Sequence, residues 1–223
     1  MNEFEKALRA VPARRYHHLH PFNRRMHDGL LSKEELRGWI LNRFHYQRHI
    51  PIKDALILAK LEDPALRRIW IHRITDQDGS EPGEGGIERW LQLGEAAGIP
   101  RADLWSGAGV LPSVRLAVDG YVNLCRTGSP LECVASSLTE LFAPDLMRTR
   151  IAAFEKHYPW IDPEGLHYFR ARVGQGRRDS GEALALVLDW ARTEADRTKA
   201  IKALEYKCEV LWTLLDAVDR AYT

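Results

Sequence analysis

Nowhere in this chain do Val, Ile and Thr run with period two between turn signals, so no stretch is patterned to bury one face of a sheet. Apolar residues instead recur three and four apart, which leaves helix-on-helix packing as the route to a core. The punctuation agrees with that reading. Residues 3 to 10 form a short amphipathic pattern that Pro12 helps to end, and a second short helical stretch reaches Gly29. Ser32 and Glu35 make a capping box for a helix to about Lys60, with a bend at Pro51. Asp63-Pro64 starts a helix through about Thr75. Further helices are expected over 87–97, 112–126, 131–142, 144–157, 164–173 and 180–192, and Thr193 caps a last one running almost to Tyr222. The acidic, glycine-rich segment 76–86, which contains Gln77, reads as a loop, and residues 175 to 179 read as a break. The fold class is therefore all-α, a compact bundle of about seven helices in one domain over 1–223, with room for a ligand cavity between them.

Composition narrows the function classes. With 32 basic and 31 acidic side chains the net charge is +1, so no global field favours nucleic acid. No apolar run approaches the roughly 20 residues of a membrane span, and the first residues have no signal-peptide core. Cys125, Cys133 and Cys208 are odd in number and widely spaced, which fits a reducing compartment and a cytoplasmic protein. No CxxC pair points to zinc. Glu164 and His167 make one Glu-x-x-His where a di-iron bundle needs two, and segment 76–86 lacks the order of a calcium loop, so no metal is expected.

Arg43, Tyr46 and Gln47 share a helix face, and Lys53 follows on the same helix. Arg43, Lys53, Arg73, Arg150, Arg172 and Lys207 are all basic residues inside otherwise apolar helical patterns. Taken singly each also reads as a snorkelling surface side chain; if several converge, they define a site for a small polycarboxylate. Glu140 fits either a structural partner of a buried arginine or a ligand or proton-transfer group. Tyr168 and Arg172, four apart, place a phenol beside a guanidinium, as a proton-transfer pair or as a packing pair. Tyr16 and His17 are acid–base candidates, against the plainer reading of a histidine satisfied by the backbone.

The chain resembles the pyrroloquinoline quinone synthase family along nearly all its length. The resemblance rests on Tyr16-His-His-Leu-His-Pro-Phe-Asn23, Asn42-Arg-Phe-His-Tyr-Gln47, Ile50-Pro-Ile-Lys-Asp54, Gly85-Gly-Ile-Glu-Arg-Trp90, Ser136-Ser-Leu-Thr-Glu-Leu-Phe-Ala-Pro144, Tyr168-Phe-Arg-Ala-Arg172 and Lys207-Cys-Glu-Val-Leu-Trp212. It implies a homodimeric, haem-oxygenase-like helical bundle that works without haem or metal. It also implies ring closure and oxidation of a bicyclic tricarboxylate amino acid, with molecular oxygen as co-substrate and hydrogen peroxide as product. Carried over position by position, Arg43, Gln47, Lys53, Arg73, Arg150 and Lys207 look like contacts to substrate carboxylates or quinone oxygens. Tyr16, His17, Tyr121 and Glu140 look like further pocket residues, some moving protons, and Tyr168 and Arg172 match residues near the oxygen-reacting face. Two positions depart from the family pattern: Gln77 stands where a histidine is usual, and Met147 where some members have histidine. Gln77 can hold hydrogen-bond geometry but cannot titrate near neutrality, so the resemblance implies intact binding with slowed or altered oxygen steps.

Overall fold

The computed structural model describes residues 2–223, and helices account for most of them. In chain order the α-helices are α1 (Glu3–Ala10), α2 (Pro12–Arg15), α3 (Pro21–His27), α4 (Lys33–Leu58), α5 (Pro64–Trp70), α6 (His72–Asp78), α7 (Gly85–Ala96), α8 (Arg101–Ser106), α9 (Pro112–Thr127), α10 (Pro130–Ser136), α11 (Ala143–His157), α12 (His167–Trp190) and α13 (Glu194–Tyr222). Single 3-10 segments lie at His17–Leu19, Ser137–Phe142 and Pro163–Leu166, and no strand occurs among the described residues. The long members α4, α7, α9, α11, α12 and α13 carry the bundle, and the short ones turn corners between them.

Local chemistry explains the starts. The Ser32 hydroxyl accepts the Glu35 N–H at 3.2 Å while Glu35 accepts the Ser32 N–H at 2.7 Å, which closes the capping box of α4. Thr193 and Asp196 do the same for α13, at 3.1 and 3.0 Å. Asp63 accepts the Ala65 N–H at 2.7 Å and Pro64 occupies the first turn of α5. Pro51 lies inside α4, which continues to Leu58.

Three expectations need correction. Segment 76–86 is not loop from its start: α6 runs on to Asp78 and stops where Gly79 takes φ 83°, so Gln77 is helical and buried. The helix expected over 63–75 is divided at Ile71 into α5 and α6. The break at 175–179 is absent, because α12 passes through it unbroken. Gly174 and Gly176 each cost a helix about 1 kcal/mol. That cost is outweighed by what the continuous helix buries, with Tyr168, Phe169 and Arg172 at one end and Ala183, Leu184 and Val187 at the other.

α4 is the central element, packed against α6, α7, α9 and α13, while α13 also packs on α9 and α10, and α11 on α12. An aromatic cluster locks these layers: Trp39 lies 5.5 Å from Trp90 and 6.4 Å from Phe154, and Phe154 lies 5.6 Å from Phe169. Trp90 donates its indole N–H to the Ile40 carbonyl at 3.0 Å, fixing α7 on α4. All three cysteines are buried and free. Among the described residues no helix is long and apolar enough to cross a membrane.

Candidate functional site

Helical periodicity builds the walls of one internal cavity of about 90 Å³. Along α4, Trp39, Arg43, Tyr46, Ile50 and Lys53 are spaced four and three apart and form a stripe facing the space. α13 faces it with Lys207, Leu211, Leu214 and Val218, α11 with Met147 and Arg150, and α12 with Tyr168 and Arg172. Tyr121 comes from α9, Ser137, Thr139 and Glu140 from the 3-10 segment after α10, and Tyr16 and His17 from the segment before α3. Ten residues expected at the site line it: Tyr16, His17, Arg43, Lys53, Tyr121, Glu140, Arg150, Tyr168, Arg172 and Lys207.

Gln47, Gln77 and Arg73 are not on the lining. Gln47 donates its amide to the Gln77 side-chain carbonyl, and both are buried beside Gly86, where a Cβ would collide with Gln77 and sit 3.3 Å from the Gln47 nitrogen. This amide clasp joins α4, α6 and the start of α7 behind the cavity wall. Arg73 sits in the layer below Glu140. It donates to the Glu140 carboxylate and the Asp179 carbonyl and stacks 4.1 Å from the Trp70 ring.

The buried charges sort into paired and unpaired groups. Lys53 lies 2.7 Å from Asp54 and donates to Ser137 at 3.0 Å. Burial works against its ammonium, but Asp54 outweighs burial and holds Lys53 charged. Arg172 reaches Glu140 at 3.6 Å and Asp179 at 3.4 Å. Burial would raise the Glu140 carboxyl, yet Arg73, Lys53 and Arg172 outweigh it and hold the pKa at about 2. Glu140 is thus a fixed anion inside a cage of cations.

Arg43, Arg150 and Lys207 differ: none has a carboxylate within 4 Å among the described residues. Arg43 packs 4.1 Å from the Tyr46 ring and 5.1 Å from the Trp90 ring. Arg150 donates to Asn23 at 3.2 Å, lies 4.9 Å from the Trp39 ring, and leaves its Nε without a partner. Burial and nearby Arg43 lower its pKa to about 10. Lys207 donates to the Tyr46 hydroxyl, and burial with Lys53 and Arg43 lowers its pKa well below the ordinary lysine value. His17 is held neutral by burial and by Arg150 and Arg43. Burial raises the Tyr16, Tyr46 and Tyr121 phenols, with Tyr46 at about 12, so they enter as proton donors.

Several members escaped the sequence reading. Tyr46 shares the helix face of Arg43 and Gln47 but nothing in the pattern gives it a role, and Trp39 and Trp90 carry no local signal that separates a cavity wall from core. Asp54 and Asp179, the counter-charges behind the wall, were missed; Asp54 adjoins Lys53, and Asp179 lies seven residues, two helical turns, after Arg172, a signal hidden by the break assumed there. The Glu164–His167 pair is a surface contact at 3.1 Å, away from the cavity. Among the described residues no three His, Cys, Asp or Glu side chains are grouped to hold a metal ion.

Comparison with known proteins places these features in context. The TENA/THI-4/PQQC family profile matches residues 5–217. The pyrroloquinoline-quinone synthase of Granulibacter bethesdensis is 49% identical over 221 residues, covering 99% of this chain and 87% of that protein. That of Cronobacter sakazakii is 48% identical over 222 residues, covering 100% and 88%. In three dimensions the chain superposes on a domain of unknown function with a heme oxygenase-like fold from Shewanella denitrificans, with a TM-score of 0.78 at 16% identity over 99% of this chain and 90% of that one, a likeness of fold alone.

Proposed function

The chain belongs to the TENA/THI-4/PQQC family, and from that premise we propose that it is a pyrroloquinoline-quinone synthase, an oxygen-dependent oxidoreductase. The substrate is the ring-open bicyclic tricarboxylate amino acid; the protein closes its last ring and passes its electrons to molecular oxygen, releasing hydrogen peroxide. The observation that carries this reading is the set of three buried basic side chains, Arg43, Arg150 and Lys207, without carboxylate partners in one cavity. Unpaired buried charges are costly unless a ligand completes them, and a rigid tricarboxylate supplies anionic groups in matching number.

In this reading Arg43, Arg150 and Lys207 meet carboxylates or quinone oxygens, and Lys53, fixed by Asp54, presents an N–H beside Ser137. Arg73 holds Glu140 and acts through it. Tyr168 and Arg172 stand together on α12 at the face assigned to oxygen, where a phenol and a guanidinium stabilise reduced oxygen and supply protons. The redox-active group is the substrate, so the protein needs neither metal nor organic cofactor; it orients, excludes water and moves protons. We assign it to the cytoplasm, as three buried free thiols suit, with no nucleic-acid or membrane partner. We also assign it a second copy of itself as partner, through a face that includes the exposed Leu116 of α9 and the exposed Tyr206 of α13, whose hydroxyl covers Gly120 of α9.

Mixing the protein with the ring-open precursor under oxygen, and following quinone, oxygen and peroxide together, tests the reading. Quinone formation with oxygen consumption is expected. Tight binding without oxygen uptake would make the protein a carrier, and activity that tracks stoichiometric iron or manganese by elemental analysis would make it a metal-dependent oxidase.

A further inference from the structure

Two lysines face the cavity from opposite helices, equally buried and differently equipped. Lys53 on α4 has Asp54 at 2.7 Å. Lys207 on α13 is 1% exposed and has no carboxylate within 4 Å among the described residues. Its Nζ lies 3.6 Å from the Tyr121 ring centre and 4.0 Å from that of Tyr46, two rings stacked within 12° of parallel, and its hydrogen-bond partner is the Tyr46 hydroxyl. The groups that face it from the packed elements are Arg43, Tyr46 and Lys53 of α4, Tyr121 and Cys125 of α9, Glu140 of the 3-10 segment, and His17 from before α3. Its α13 neighbour Cys208 is buried too, and burial raises that thiol.

Opposing effects decide its charge. The ring faces favour the ammonium by roughly one to two pH units. Burial alone moves a lysine down by as much as about 3 to 5, and Lys53 and Arg43 push the same way. Burial and the two cations together outweigh the ring faces, so the ammonium of Lys207 is disfavoured relative to an ordinary lysine. Environments that push two like groups apart mark their division of labour: Lys53 is the permanent cation, and Lys207 is the lysine on the cavity wall that gives up its proton more readily.

We propose that Lys207 is the catalytic base that frees the substrate's amino nitrogen for ring closure. This rests on the function proposed above. The amino-acid arm of the substrate is an ammonium in neutral water and attacks carbon only as the free amine. In the step assigned to Lys207, one substrate N–H bond breaks with its electron pair left on the substrate nitrogen, and the proton bonds to the Lys207 Nζ. No electron changes hands and no further reactant is needed. The new Lys207 ammonium then lies against the substrate's carboxylates, so the proton moves to where the ligand's charge favours it. Other lining groups serve less well: Glu140 is held at about 2, burial and neighbouring cations make His17 a weak acceptor, and the phenols keep their protons.

Lys207→Arg keeps a cation and removes the base. Expected is a KM within about threefold of the parent and a kcat at pH 7 lower by roughly 100-fold, the usual scale of general-base catalysis. The variant's rate should climb about tenfold per pH unit up to the pKa of the substrate amine, while the parent's climbs less steeply. A variant within twofold of the parent, or with a parallel pH profile, overturns the proposal. Lys207→Met serves if the arginine form does not fold, with the same loss expected and partial rescue by small added alkylamines. A readout independent of turnover is calorimetry of the finished quinone binding to the parent in two buffers of unequal ionisation enthalpy. The quinone brings no ammonium, so Lys207 must draw about one proton from solvent. No uptake by the parent, or equal uptake by Lys207→Arg, overturns the proposal. Failure of the parent itself to convert the precursor would instead sink the proposed function.

Discussion

Replacing Glu140 by Gln should destabilise the ligand-free protein more than almost any other single change at the site. Arg73 beneath it is 2% exposed, its Nε already lacks a partner, and its two remaining bonds go to Glu140 and the Asp179 carbonyl. Glutamine preserves the shape and removes the charge, leaving Arg73 with Arg172, which lies 3.6 Å from the lost carboxylate, and with Lys53 close by. Breaking a buried pair by removing one partner costs about 3–5 kcal/mol. For a chain of this size each kcal/mol is worth roughly 2–4 °C in Tm, so a fall of about 6–20 °C is expected, read by circular dichroism at pH 7 without ligand. Removing Arg73 as well, in an Arg73→Met, Glu140→Leu double variant, should recover much of it. A Glu140→Gln Tm within about 2 °C of the parent would refute the view of Glu140 as the anchor of the cation cage. The same carboxylate sets an acid limit. Its folded pKa is depressed to about 2, so its contribution is complete above the unfolded value near 4.5 and is lost as pH falls through about 2.

The unpaired cations should behave in the opposite sense. Arg150→Met should raise the Tm of the free protein by a few degrees, because a buried guanidinium with an orphaned Nε is removed, while weakening quinone binding by roughly 10- to 100-fold in calorimetry; unchanged affinity would deny Arg150 a ligand contact. Burial lowers His27 and His45 to about 4 and lowers His17 well below its ordinary value, so the fold keeps them neutral. The unfolded chain then binds more protons below pH 6.5, and stability should fall as pH drops from 6.5 to 4. His45→Gln should flatten that decline in urea titrations, and an unchanged slope would exclude His45 as a contributor. Gln77→His should leave quinone affinity unchanged, since Gln77 sits behind the wall, clasped to Gln47, and should quicken oxygen consumption if a titratable imidazole there relays protons through Gln47; equal rates in an oxygen electrode would remove Gln77 as the reason for any slow turnover.

Much of the scaffold was legible because its signals are local. The capping boxes at Ser32–Glu35 and Thr193–Asp196, and the Asp63 cap, are bonds between groups two or three residues apart, so sequence specifies them almost alone. The α4 stripe is legible for the same reason, since a 3.6-residue period puts Arg43, Tyr46 and Lys53 on neighbouring turns. Local signals failed where packing overrode them, as at Gly174 and Gly176 inside α12 and at Gln77 inside α6.

The sequence by itself determined an all-helical chain with six basic residues set in apolar helices, and most of their names. Only the tertiary structure decided which of them are paired. Arg73 meets Glu140 across 67 positions, Lys53 keeps the adjacent Asp54, and Arg43, Arg150 and Lys207 are left with aromatic rings and amides. Charge state follows burial, which helices distant in sequence set, and the nearest opposite charge, so of two buried lysines the one beside Asp54 on α4 is held as a cation and the one on α13 has its ammonium disfavoured.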